Sequence, residues 1–538
     1  MGAKNYQADC VVVGAGLAGI YACLKLLEAG KKVILLDRDT RAHMGGQAVE
    51  SFGGVFMADS PLQRRFGIKD SFDLAYRDWC SFAEFTGADE LGRAWARGFI
   101  ENSTRLLYDG LKKYHVSYFP VVHWVERGLF VPGNSVPRFH MVWGTGFGLM
   151  KRLSAALLAY EGKGNFQIHF QHNVKSFIEL QGKIVGIEGV CEADQETFKA
   201  TGDNIIMAAG GYGANLDLVR KNWHRDWSKP PKDLLVGCNQ FNDAQLHEQV
   251  RHLGGDVINL DRMWNYAAGI PHPHPKRERH GLSLVPPKSA LWMDALGKRI
   301  GPVPLVTAFD TRSMVSAICK APAGYSWQIM NRKIAVKELA VSGSEHNPAI
   351  RDEKLISFLL SVLLGNNKLV DHFLKDSAHF VTAPNLAELV QKMNAINQPY
   401  IIEPELLKSE IETYDQMIGR GPTYFNDDQL RRLIQLRNYK GDRLRTCKFQ
   451  KILDPAAGPL IAVKLNILVR KSLGGVKTNL RSQALRPDNS VVPGLYAVGE
   501  SAGFGGGSIH GLRALEGTFL GNCVYNSEMA VNSILAGN

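Results

Sequence analysis

Gly14, Gly16 and Gly19 follow the spacing Gly-x-Gly-x-x-Gly, which equips a main chain to hold phosphate. Gly14 permits a tight turn, Gly16 lets a pyrophosphate approach the backbone, and Gly19 lets a helix pack closely on a strand. Ala15 and Ala18, between them, complete the candidate cradle. A helix opening at this point presents free N–H groups and the positive end of its dipole to an anion. Asp37 stands about 20 residues further on, where a carboxylate accepts from ribose hydroxyls, and Arg38 follows it.

These residues need a strand before them and a helix after them. Val11–Val13 are β-branched and read as a buried strand, and Ile20, Cys23, Leu24 and Leu27 carry a helical spacing. Val33–Leu36 is a second strand, ending at Asp37. Two distant segments share this character. Thr201–Gly213 (TGDNIIMAAGGYG) is a strand ending in Ala209 and Gly210, and Pro493–Glu500 (PGLYAVGE) is a strand ending in Gly499 and Glu500. A ligand gripped by three separated parts of the chain is a long flavin nucleotide rather than NAD, which needs one contiguous unit. FAD is therefore the expected cofactor.

The chain has 538 residues, enough for two or three domains, with 45% hydrophobic residues and 54 glycines. Its 8 cysteines are scattered without a CxxC pair or metal spacing, which predicts reduced thiols, no metal and a cytoplasmic setting. No signal peptide is evident, and no apolar run has the length to cross a bilayer. The formal charge of +11 is spread along the sequence. Its one dense stretch, Arg431–Lys451, lacks a nucleic-acid-binding signature and reads as a solvated helix face. Nucleic acid is not an expected partner, and attraction to a membrane surface is the less favoured use of the charge.

Further segments extend the pattern: GGQAVESFGGVFMADSPLQRRFGIKDS from Gly45, SVPRFHMVWGTG from Ser135, SALWMDALGKRIGP from Ser289, DPAAGPLIAVKLNILVRKSLGGVKTN from Asp454 and GFGGGSIHGLRALEGTFLGN from Gly503. With the three nucleotide segments they resemble the flavoprotein superfamily of fumarate reductase and succinate dehydrogenase, in its 3-ketosteroid Δ1-dehydrogenase-like branch. The resemblance implies an α/β fold: a Rossmann-like FAD-binding domain of glutathione-reductase type with an inserted α+β cap domain. Residues 1–262 and 447–538 would form the FAD-binding domain and 263–446 the cap. Gly45, Gly46, Ser51, Gly53 and Gly54 would run under the flavin ring, with Gly511, Ala514 and Leu515 closing the cofactor set. Gln47 occupies the position of the histidine that attaches FAD covalently in some relatives, so non-covalent FAD is expected; His43 lies four residues too early.

Within the chain, Ser71–Tyr114 carries a broad apolar helical face, and Tyr118–Gly148 is an aromatic loop expected to line the pocket. Gln167–Phe170 and Lys183–Val190 read as strands of a small accessory sheet. Leu355–Leu364 reads as a buried cap helix.

Flavin chemistry on a C–C bond needs a proton-handling group and donors for an activating carbonyl. Arg312, in TRSMVSAI, matches the proton-donor arginine of soluble fumarate reductases. His274, in a His-Pro pair 38 residues earlier, and its rival His272 match a substrate-binding histidine there. His510 and Arg513 resemble the HGxNR carboxylate-binding stretch, with the arginine one position early. Tyr325 is a further phenolic acid or base. The tyrosine that 3-ketosteroid Δ1-dehydrogenases use near the position of His510 is missing. The expectation is an FAD-dependent oxidoreductase of the CH–CH group that desaturates a cyclic, apolar ketone next to its carbonyl. Reduction of a fumarate- or enoate-like alkene is the alternative, and a flavin-binding protein without turnover is the third. With no second nucleotide fingerprint, the electrons must pass to an external acceptor: a quinone-like compound, a carrier protein or oxygen.

Overall fold

Cys10–Val13 is buried at every position, and so is Val33–Leu36. Strands apolar on both faces belong at the centre of a parallel sheet covered on both sides. The computed structural model, which describes residues 4–537, places them there. The order across the six-stranded sheet is Gln483–Leu485, Val491–Ala497, Asn204–Met207, Cys10–Val13, Val33–Leu36 and Phe166–His169. All neighbours run parallel except the Gln483–Leu485 edge. Val11 sits opposite both Ile34 and Ile205, and Ile205 opposite Leu495. The three nucleotide segments are thus adjacent, with the fingerprint strand at the centre.

One face of this sheet packs on the helices Leu17–Glu28, Phe72–Phe82, Glu90–Ser103 and Thr518–Leu535. The other packs on a four-stranded sheet of Lys4–Gln7, Thr197–Thr201, Lys183–Cys191 and His172–Leu180. Phe166–His169 does not join that accessory sheet, contrary to the sequence expectation. It is the edge of the parallel sheet, pairing Ile34 with Gln167. The turn at Gln171 (φ 57°) reverses the chain between the two sheets.

The second lobe is built on Leu460–Ser472, a 13-residue strand buried at all positions except Lys464 and Lys471. It pairs antiparallel with Met263–Pro271, Tyr325–Asn331 and Phe380–Ala383. The chain therefore returns to the parallel sheet only beyond Ser472, not at 447 as the composition suggested. A central strand supplied from the far side of the inserted segment fastens cap to flavin lobe covalently at both ends. Leu355–Leu364 is a helix, but not a buried one: none of its residues is buried. Its apolar run lacks the polar face by which an exposed helix is recognised in a sequence. No helix among the described residues is long and apolar enough to cross a membrane, and all eight cysteines are free thiols.

Candidate active site

Between the lobes lies a cavity of about 1000 Å³. Its floor is the first nucleotide segment: Gly14, Gly16, Ala18, Asp37 and Arg38 line it. The two outer glycines are fixed by protein atoms. A Cβ on Gly14 would lie 2.3 Å from the Ala208 carbonyl oxygen, and one on Gly19 would lie 1.9 Å from that of Gly14. At Gly16 a Cβ would meet no protein atom within 4 Å. The space there is open, and a pyrophosphate fits it. The helix Leu17–Glu28 starts at Gly16 without any side-chain cap, so its first N–H groups remain available to an anion. Asp37 accepts from the amides of Ala15 (2.5 Å) and Asp39 (2.7 Å), and burial raises its pKa.

Gly46, Gln47, Ser51, Gly53, Gly54, Ala209, Gly210, Gly499 and Glu500 also line the cavity. The Glu500 carboxylate accepts from the amide and hydroxyl of Ser472, which anchors the third segment to the end of the long cap strand. Ala15, Gly19, Gly45, Gly511, Ala514 and Leu515 fall outside the lining. Gly511 instead abuts Ala83, where a Cβ would come within 2.3 Å of the carbonyl oxygen. The wall begins just beyond these residues, with Glu516, Gly517, Phe519 and Leu520. The expected aromatic loop contributes His123, Val125, Glu126, Phe139 and Met141. Pairing of Gly54–Phe56 with Phe139–Met141 holds that loop against the glycine loop.

The candidate catalytic residues do not gather in the cavity. Arg312 is buried outside it, paired with Asp226 (3.0 Å), beside His224 (3.2 Å) and over the Trp227 ring. Its neighbour Thr311 faces the cavity in its place, because the helix Thr311–Lys320 turns successive side chains about 100° apart. Arg513 is held by Asp310 (3.1 Å) and Glu84. His510 stacks on Trp79 between Phe504 and Phe519, with neither ring nitrogen hydrogen-bonded. Burial pushes its pKa down to about 3, so the ring stays neutral and exchanges no proton near neutrality. Tyr325 donates to the Asn397 side chain (2.8 Å) in the cap core. His274 lies outside the lining too; its amide donates to His272 Nδ1. His272 Nε2 therefore carries the proton and faces Glu345 (3.3 Å). Glu345 and His346 come close to that nitrogen in a grouping of metal-ligand type, but the protonated nitrogen offers no lone pair.

The wall holds other chemistry. The Tyr266 hydroxyl donates to Glu516 Oε1 (2.5 Å) and accepts from Lys471 Nζ (2.9 Å). Trp264 Nε1 donates to the same carboxylate oxygen (2.8 Å) and fixes it. Burial raises the Tyr266 phenol well above its ordinary value, and burial lowers Lys471 to about 8. Glu126 lies in the same wall and accepts from the amide and hydroxyl of Thr311. Burial raises the pKa of its carboxyl well above the ordinary value. These residues sit in stretches whose apolar character hid them. The available signals were the basic pair Arg470-Lys471 after the apolar run ILV and a glutamate before a glycine in ALEG.

A cavity lined by the three glycine-bearing segments and by a phenol–carboxylate–lysine group fits an FAD-dependent oxidoreductase. The chain belongs to the family described as FAD binding domain, which it matches over residues 9–520. It is 39% identical, over 98% of its length and 96% of the relative's, to a KsdD-like steroid dehydrogenase of Mycobacterium tuberculosis. Its fold is similar to that of 3-ketosteroid Δ1-dehydrogenase from Sterolibacterium denitrificans, solved with 1,4-androstadiene-3,17-dione (TM-score 0.73, 15% identity, 99% of this chain and 100% of that one). It is also similar to a flavocytochrome c3 fumarate reductase in an open conformation (TM-score 0.69, 18% identity, 98% of this chain and 78% of that one).

Proposed function

We propose that this enzyme desaturates the carbon pair next to the carbonyl of an apolar cyclic ketone of the 3-ketosteroid class. The observation that carries the reading is the Tyr266 hydroxyl, held at the cavity wall between Lys471 and Glu516. Desaturation removes a hydride from one carbon and a proton from its neighbour. FAD, when bound, supplies the hydride acceptor. Tyr266 takes the proton on its phenol oxygen while passing its own to Glu516 Oε1, so no net charge is left on the ring. Lys471 orients that oxygen and tempers its basicity. Glu126, whose carboxyl burial biases towards the protonated form, donates to the ketone oxygen as enolate character develops.

The remaining wall suits such a substrate: Val125, Met141, Leu284, Pro286, Met314 and Val341 are apolar and offer a rigid ring system contact. The 39% identity to a KsdD-like steroid dehydrogenase supports the same class. The alkene-reducing alternative needed Arg312 as proton donor and His510 and Arg513 as carboxylate binders, and each of them is held by other protein groups outside the cavity.

FAD is held without a covalent bond in this reading. The Gln47 amide donates to the Arg470 carbonyl oxygen (3.1 Å), and His43 pairs with Asp39 (3.0 Å). An external acceptor, whether quinone-like, protein or oxygen, then reoxidises the flavin. Anaerobic mixing with a panel of 3-ketosteroids tests the proposal: the flavin should bleach within the mixing experiment. Bleaching by none of them, together with reoxidation of chemically reduced enzyme by alkenoic acids, would select the reductase reading.

A further inference from the structure

The helix Leu355–Leu364 (LISFLLSVLL) combines three features that a cap helix does not need together. It is apolar almost throughout, none of its residues is buried, and it forms part of the cavity wall. Ser357, Phe358 and Ser361 face the cavity, as does Lys354 just before the helix. Phe358 anchors it to the flavin lobe, packing edge-on against Phe119 (5.0 Å) and near Trp143 (6.3 Å). Ile356, Leu360 and Leu363, spaced i, i+4 and i+7, lie on the opposite side. Ile356 is 77% exposed, Leu360 50% and Leu363 69%, with Leu364 at 74% beside them. These four side chains form one exposed apolar stripe.

We infer that this helix docks the enzyme on an anionic lipid bilayer. A ten-residue helix is about 15 Å long, far too short to span a bilayer and suited to lie in the interface. Charge complementarity supports lipid as the occupant. Lys333, Lys337 and Lys368 are exposed near the helix and belong to no ion pair among the described residues. The nearby carboxylates are taken: Asp371 by Arg332, Glu353 by Arg152, and Asp352 by Arg351 and Lys354. The Asn366 amide bonds to the Val336 carbonyl, which joins the end of the helix to the segment carrying Lys333 and Lys337. The chain as a whole carries +11, so anionic headgroups attract it while a second copy is repelled. Area argues the same way. A stripe about 15 Å long and 10 Å wide offers roughly 150 Å², against about 800 Å² per partner in a stable protein interface.

The inference goes beyond the ketone reading and stands whether or not that reading holds, since its test measures lipid binding alone.

The FAD-loaded protein is sedimented with vesicles of phosphatidylcholine, alone or with about 30 mol % phosphatidylserine. Wild type should partition onto the anionic vesicles, and I356E/L360E/L363E should lose about tenfold or more of that partition. Its flavin content should be unchanged, because these side chains touch neither cavity nor core. Lys333→Gln, Lys337→Gln and Lys368→Gln together should remove the gain due to phosphatidylserine while leaving any binding to neutral vesicles. Absence of vesicle binding, or equal binding by wild type and the triple glutamate variant, overturns the inference. So does a wild-type dimer in light scattering that the same variant converts to monomer without any effect on lipid binding.

Discussion

The Tyr266 hydroxyl donates to Glu516 at 2.5 Å, although the two residues stand 250 positions apart. One comes from a cap strand and the other from the loop that follows the last flavin segment, so the pair exists only when both lobes are assembled. Tyr266→Phe removes the proton-carrying atom and keeps the ring. The variant should fold and bind FAD, while flavin reduction by a ketone falls about 10²- to 10⁴-fold. Stopped-flow bleaching within a few-fold of wild type would move proton handling away from this residue.

Lys471 sets a pH dependence. Burial lowers its pKa from 10.5 to about 8, so in the folded protein the ammonium is present below that pH and lost above it. A cation donating to the phenol oxygen makes that oxygen a weaker base. Flavin reduction should therefore speed up as the pH rises through about 8 and then level. Lys471→Met should abolish that inflection; a profile that keeps it would assign the titration to another group.

Arg312 is expected to act structurally. Arg312→Ala leaves Asp226 without its partner and opens space beside Trp227. Because Asp226 is half-exposed, the cost should be modest, about 1–2 kcal/mol in denaturant unfolding. The rate of flavin reduction per bound FAD should stay within a few-fold of wild type. A loss of 10²-fold or more would place the arginine in the chemistry after all.

Gly16→Val tests the cofactor cradle. Its Cβ meets no protein atom, so the apoprotein should keep its circular dichroism and melting behaviour while the purified protein carries little or no flavin. A yellow variant with wild-type flavin content would show that the pyrophosphate lies elsewhere.

Acid precipitation tests the mode of FAD attachment. All flavin should appear in the supernatant, as expected with Gln47 at the attachment position; flavin retained on the pellet would point to His43.

The nucleotide grip was legible in the sequence because its requirements are local. Gly14, Gly16 and Gly19 act through backbone geometry within one strand–turn–helix, and Asp37 ends the adjoining strand. The proposed proton-handling group is visible only in the tertiary structure. Arg312 and Thr311 are neighbours in sequence, yet one helical step sends the first to Asp226 and the second to the cavity. Tyr266, Lys471 and Glu516 meet because Leu460–Ser472 crosses back into the cap sheet beside Met263–Pro271, a long-range pairing that no local pattern encodes. Leu355–Leu364 shows the same limit for burial. Its composition made a helix certain, but whether leucines face a core or an open surface depends on what packs against them, and here the fold leaves that side uncovered.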